Sequence, residues 1–216
     1  DSARYATVRW TQRGFRRARG TVPEGTTMRN LFGQVDGTAG PHPGEADFDS
    51  LVWIPDGWLA GGTSLVVRRI AMDLEGWDQL GRADREHAVG RRLDTGAPVT
   101  GQQEQDEPDL AAADSLGFPV IKPWAHLRRA RTENPRERIY RRSFNYDDGP
   151  LAAEDTGAGL VFLAYQADPL AQFVPIQRRL DELDLLNIWT TPVGSAVFAY
   201  PPGCQPGGYV GETLLD

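Results

Sequence analysis

Three features far apart in the chain could together hold a ligand and move its protons. In "NLFGQVDGTAG" (30–40) Asp36 stands between glycines with no charged residue in the stretch, just after the apolar Leu31 and Phe32. A surface turn explains the glycines and the acid, but not the apolar lead-in. His126, one of three histidines, follows "FPVIKPWA" and precedes an arginine-rich run, whereas His42 sits in a proline-flanked loop and His87 in a charged segment. In "RIYRRSFNY" (138–146) alternation along a strand puts Ile139, Arg141, Ser143 and Asn145 on one face, and Tyr140, Arg142, Phe144 and Tyr146 on the other. One arginine thus stands among small polar groups and one among aromatics. A buried arginine needs an anion to be tolerable, and Asp36 is a candidate.

The elements that must position these residues are legible from residue 63 onward. "TSLVVRRIAMDL" (63–74) reads as a strand and "GWDQLGRADREHAVGRRL" (76–93) as a partly exposed helix. A long irregular stretch, 94–125, follows; loops of this length in a compact domain are usually functional or disordered. Strands are expected at 138–146, 158–166 and 194–202. The Asp147-Asp148-Gly149 turn signal lies after the first, and a helix over 168–186 is strained by Pro175. The order β-α-β-β-α-β gives an α+β fold of ferredoxin-like type: an antiparallel sheet with helices on one face and the other free. Residues 1–62 read as strand, with "YATVRW" alternating, and as Gly/Pro-rich loop. The expected division is 1–62 and 63–216.

Composition narrows the function. The chain has 216 residues, a net charge of −7, one cysteine (Cys204) and one lysine (Lys122). A single cysteine excludes an internal disulfide and a cysteine-based zinc site. No run approaches the roughly 18 to 20 apolar residues of a membrane span. The acidic balance argues against nucleic acid. "AGLVFLAY" (158–165) keeps Gly159, Phe162 and Tyr165 of an RNA-binding strand motif but has Ala158 for its basic residue and Leu160 for a stacking aromatic. Most of the seven arginines between 128 and 142 read as a solvated, salt-bridged run.

Taken in order, "NLFGQVDGT", "WAHLRRA", "RIYRRSFNYDDG" and "GLVFLAYQADPLAQFVPIQRRL" resemble the dye-decolourising peroxidases, and the bacterial branch that includes the exported deferrochelatase/peroxidase proteins in particular. The resemblance implies the C-terminal, haem-binding part of a protein with two ferredoxin-like domains, so that the chain starts near the junction after the first. It implies non-covalent haem b with His126 as axial iron ligand, Asp36 and Arg141 as distal catalytic pair, and Leu160 and Phe162 as the apolar roof. Ser143 falls where some relatives carry a polar distal residue. A carboxylate usually orients the proximal histidine, and Asp106, Glu107 and Asp109 in "DEPDL" are candidates.

The implied activity is reduction of hydrogen peroxide through a ferryl intermediate and oxidation of dyes, phenols or other one-electron donors. Electrons for bulky donors would pass by Trp77, Trp124, Trp189, Tyr140 or Tyr146. The alternative is a haem-handling, deferrochelatase-like protein without peroxidase turnover. Expected partners are peroxide, organic reductants, the N-terminal domain and a second copy of the chain; export is an expectation of the resemblance alone.

Overall fold

β-branched residues fill the strand at the centre of the sheet, β3 (Thr63–Met72), where Val66 is fully buried. The computed structural model describes residue 4 and residues 7–18, 20–149 and 157–214. Ahead of β3 lie a short ribbon, β1 (Met28–Arg29) with β2 (Val35–Asp36), and the helix α1 (Phe48–Val52). After β3 come α2 (Leu74–Asp78), α3 (Arg82–Val89), α4 (His126–Ala130), β4 (Tyr140–Arg141), β5 (Phe144–Asp147), β6 (Ala158–Gln166), α5 (Phe173–Leu183) and β7 (Thr190–Tyr200).

β3 pairs antiparallel with β6 on one side and β7 on the other, and β4 and β5 both pair with β6. This is the ferredoxin-like order, as the element sequence implies. Opposed residues share a face, so Val66, Arg68 and Ile70 line up with Ala164, Phe162 and Leu160, and Arg141 stands opposite Ala164. Phe173 and Ile176 of α5 pack against this face. Leu65, Val67, Val161 and Leu163 on the other face are half-buried, and α1 covers the Tyr140–Tyr165 corner of it with Phe48, Leu51 and Val52. At the edge, Phe198 and Tyr200 of β7 are about half exposed, at 51% each.

Several boundaries differ from the sequence reading. The helix expected over 76–93 is two helices, because Asp73 caps the first by accepting from the Gly76 amide, and Gly81 turns extended (ψ 157°) to start the second. The strand expected over 138–146 is interrupted at Arg142 and Ser143. β7 begins at Thr190, with a register shift beside Pro192, whose missing N–H confines it to an edge or a bulge. Val8–Trp10 form no strand, and Tyr5 and Ala6 lie outside the described residues. Pro175 is carried within the first turn of α5, where a missing N–H costs least. The loop connection expected after Gly149 lies largely outside the described residues. Among the described residues no helix is long and apolar enough to cross a membrane.

Candidate functional site

Between the helix-covered face of the sheet and α4–α5 lies a cavity of about 810 Å³. Its walls include Phe32, Ile70, Met72, Val89, Leu127, Leu160, Phe162 and Leu186, and it is also lined by Asp36, Arg141 and His126. Residues expected from three distant stretches thus meet in one space.

His126 is the first residue of α4 and is about one third exposed. Its Nδ1 lies 2.6 Å from Oδ2 of Asp184, whose side chain is only 4% exposed. A carboxylate accepts, so Nδ1 is the donor in this contact and Nε2 is the ring nitrogen left for another partner. The other oxygen, Oδ1, accepts from the Leu186 amide 3.1 Å away. Asp184 ends α5 and starts a short 3₁₀ turn, Leu185–Ile188, so backbone geometry fixes it before it meets the histidine. The two helices are tied by Arg129 Nε donating to the Arg179 carbonyl (2.8 Å) and by the Arg129–Glu182 pair (2.8 Å). The Leu185 amide also donates to the Trp124 carbonyl just before His126.

The acids expected to serve this role do something else. Asp106 accepts from the amides of Gln102 and Gln103, which hold its carboxyl below the usual range, and Asp109 accepts from those of Ala111 and Ala112. Glu107 pairs with Arg131 at the cavity rim. The partner of His126 is Asp184. The available signal was an acid closing a helix inside an otherwise apolar run, "LDLL".

Across the cavity Arg141 Nη1 donates to Oδ1 of Asp36 at 2.7 Å, with 24% and 9% of the two side chains exposed. Among the described residues no hydrogen bond reaches Oδ2 of Asp36. β4 places Arg141 by its register with β6. The β1–β2 ribbon places Asp36, with Met28 and Phe32 buried in one cluster with Met72, Trp77 and Leu160. Gly37, at φ +121°, takes the chain out of the ribbon in a conformation closed to other residues. Leu160 and Phe162 line the same space, and Phe162 lies 6.2 Å from Phe173, centroid to centroid. Ser143 is not brought to it: it is 3% exposed, outside the lining, and its Oγ has no hydrogen-bond partner among the described residues.

Further arginines reach the cavity. Burial lowers the Arg68 guanidinium, with Asp181 opposing, and Arg68 donates to Gln177. Arg138 is held by Glu45 (3.0 Å) and Asp47 (2.8 Å). An aromatic file leads away from the wall: Phe32 stacks on Trp77 at 4.4 Å, and Trp77 meets Trp189 edge-on at 5.3 Å. Of the other expected relay residues, Trp124 is 40% exposed while Tyr146 is fully buried. Among the described residues no cluster of three or more His, Cys, Asp or Glu could hold a bare metal ion. A single histidine beside apolar walls suits a metal that brings its own macrocycle.

Residues 27–205 match the family described as Dyp-type peroxidase, C-terminal. A dye-decolorizing peroxidase of Thermobifida fusca (strain YX) is 43% identical over 97% of this chain and 50% of its own length. A deferrochelatase of Yersinia pestis is 34% identical over 97% of this chain and 50% of its own length. Among solved structures, a DyP-type peroxidase from Cellulomonas bogoriensis superposes with a TM-score of 0.93 at 56% identity, covering 100% of this chain and 60% of that one. Ferric DtpA from Streptomyces lividans gives 0.88 at 44%, over 94% and 56%. The chain spans about half the length of the curated relatives it matches. With the ferredoxin-like sheet and a cavity that joins the four matched segments, the chain belongs to the Dyp-type peroxidase family, in its C-terminal part.

Proposed function

We propose that the chain is the haem-binding half of a peroxidase that reduces hydrogen peroxide and oxidises organic one-electron donors. The observation that carries this reading is that a partly buried Asp36–Arg141 pair shares one cavity with a histidine whose Nδ1 is taken by Asp184. The cavity fits haem b on the chemistry of its lining: a single imidazole for the iron, apolar walls for the ring, and arginines at the rim for carboxylates. Haem bound there supplies an iron centre that binds peroxide and stores two oxidising equivalents.

The chain's own residues do the rest. Asp184 accepts from Nδ1 of His126 and orients the ring, so that Nε2 would be the nitrogen to meet the iron. Asp36 would accept a proton from one peroxide oxygen and return it to the other, which would leave as water. Arg141, always cationic, stabilises the negative charge that develops on the departing oxygen, and it holds Oδ1 of Asp36 so that Oδ2 is the proton carrier. Leu160 and Phe162 keep bulk water from this exchange. For donors too large to enter, Trp77 and Trp189 form the continuous route from the wall at Phe32. Residues beyond this chain, the other half of the longer protein, would cover the half-buried sheet face.

A protein that only held and released haem would need His126 and the apolar walls, but not an ion-paired acid and arginine across from them. Comparing peroxide-dependent dye oxidation with haem transfer to an apo-acceptor separates the two. Turnover in the wild type that Asp36→Asn removes supports the peroxidase reading. Equal and negligible turnover in both, with efficient haem transfer, would replace it by the haem-handling one.

A further inference from the structure

Asp36 occupies an exposed position in the fold's architecture: it is the last paired residue of a two-residue strand. The pairing register of the ribbon is Met28 with Asp36 and Arg29 with Val35, and beyond Asp36 the chain leaves through Gly37. Ribbons this short are marginal, and their ends fray. Yet the acid must hold its place to within a fraction of an ångström for proton transfer.

We infer that Glu104 is the positioning residue that locks the distal acid. Its Oε1 accepts from the Thr27 hydroxyl at 2.5 Å and from the Thr38 hydroxyl at 2.7 Å. Thr27 immediately precedes β1 and Thr38 lies two residues after Asp36, so one carboxylate oxygen bridges the two strands at the end where backbone pairing stops. The segment that carries Glu104 is anchored to the same ribbon independently. Arg29 donates to the carbonyls of Leu93 (2.7 Å) and Asp94 (2.8 Å), and Arg91 to those of Gly96 (2.6 Å) and Glu104 itself (2.8 Å). Gly96 packs so closely that a Cβ there would stand 2.7 Å from Val35 Cγ1. The start of the long irregular stretch is therefore a clasp built around the ribbon. Two hydroxyl donors on one acceptor oxygen fix both strands relative to each other.

This inference rests on the distal-acid reading of Asp36, and the test separates the two. In the haem-loaded full-length protein, Glu104→Ala is compared with Glu104→Gln, whose Oε1 still accepts, and with the double variant T27V/T38V. Hydrogen exchange is followed at the amides of residues 35–40, with β3 and β6 as internal reference. The peroxide step is followed in the Soret region. Loss of the clasp in Glu104→Ala and in T27V/T38V is expected to raise exchange at 35–40 roughly tenfold or more and to slow the peroxide step by a similar factor. The KM of the reductant and the protection of β3 and β6 stay unchanged, and Glu104→Gln restores both readouts to within about threefold. Wild-type protection at 35–40 in Glu104→Ala overturns the clasp, as does a Glu104→Gln variant as impaired as Glu104→Ala. An Asp36→Asn control that reacts normally with peroxide sinks the distal-acid reading instead, and the exchange data then judge the clasp alone.

Discussion

Nδ1 of His126 and Oδ2 of Asp184 stand 2.6 Å apart although 58 residues separate them, and the packing of α4 on α5 closes that gap. In the proposed function this carboxylate would orient the ring so that Nε2 meets the iron. Asp184→Asn keeps the shape but replaces the acceptor charge. It is expected to weaken haem affinity by about 10- to 100-fold and to raise the reduction potential of the bound iron. Haemin titration and spectroelectrochemistry measure both; an unchanged potential would remove Asp184 from the account of the ligand.

Asp36→Asn and Arg141→Leu separate binding from chemistry. Each should slow the reaction with peroxide by roughly 10²- to 10⁴-fold, the span of positioned acid–base and electrostatic catalysis, with haem affinity nearly preserved. Stopped-flow absorbance gives the rate directly.

Trp189→Phe keeps the contact with Trp77 but replaces the outer indole of the file by a ring that is much harder to oxidise. Oxidation of a bulky anthraquinone dye should fall at least several-fold while the peroxide step stays at the wild-type rate. A dye kcat equal to wild type would point to another route, with Trp124 next in line.

Glu137 borders the cavity and pairs with Arg179 at 2.8 Å. Burial pushes its carboxyl up, but hydrogen bonds from Arg179, Thr132 and Asn134 outweigh this and hold it below the ordinary 4.5. The folded value is depressed, so Glu137 contributes stability above the unfolded value, and that contribution disappears as pH falls through the folded one. Glu137→Gln should lower the melting temperature at pH 7, and the gap from wild type should close in scans below pH 4.5. A gap that stays constant with pH would assign the loss to packing.

Much of this was readable because local pattern and tertiary role coincide. Strand periodicity placed Arg141 on the same face as the small polar residues, and the glycine-flanked Asp36 announced a turn against something apolar. Asp184 escaped because its meaning depends on two helices meeting, which no local spacing encodes; of the acids of "DEPDL", which lie in a loop, Asp106 and Asp109 bond to nearby backbone amides and Glu107 pairs with Arg131. Ser143 escaped for the opposite reason. It obeys the alternation from Arg141, but the strand breaks at Arg142 and Ser143, and its buried side chain is not part of the cavity lining. The split of 76–93 into α2 and α3 was legible in principle from the capping Asp73 and from Gly81, but it was masked by a continuous charged pattern.

The most direct test of the central claim is the visible spectrum of the full-length protein titrated with haemin, for wild type and His126→Ala side by side. A Soret band that saturates at one haem per chain is expected in the wild type, and it should be lost or shifted in His126→Ala. The same saturating Soret band and ligand-field spectrum in both proteins would show that His126 does not ligate the iron, and would contradict the site described above.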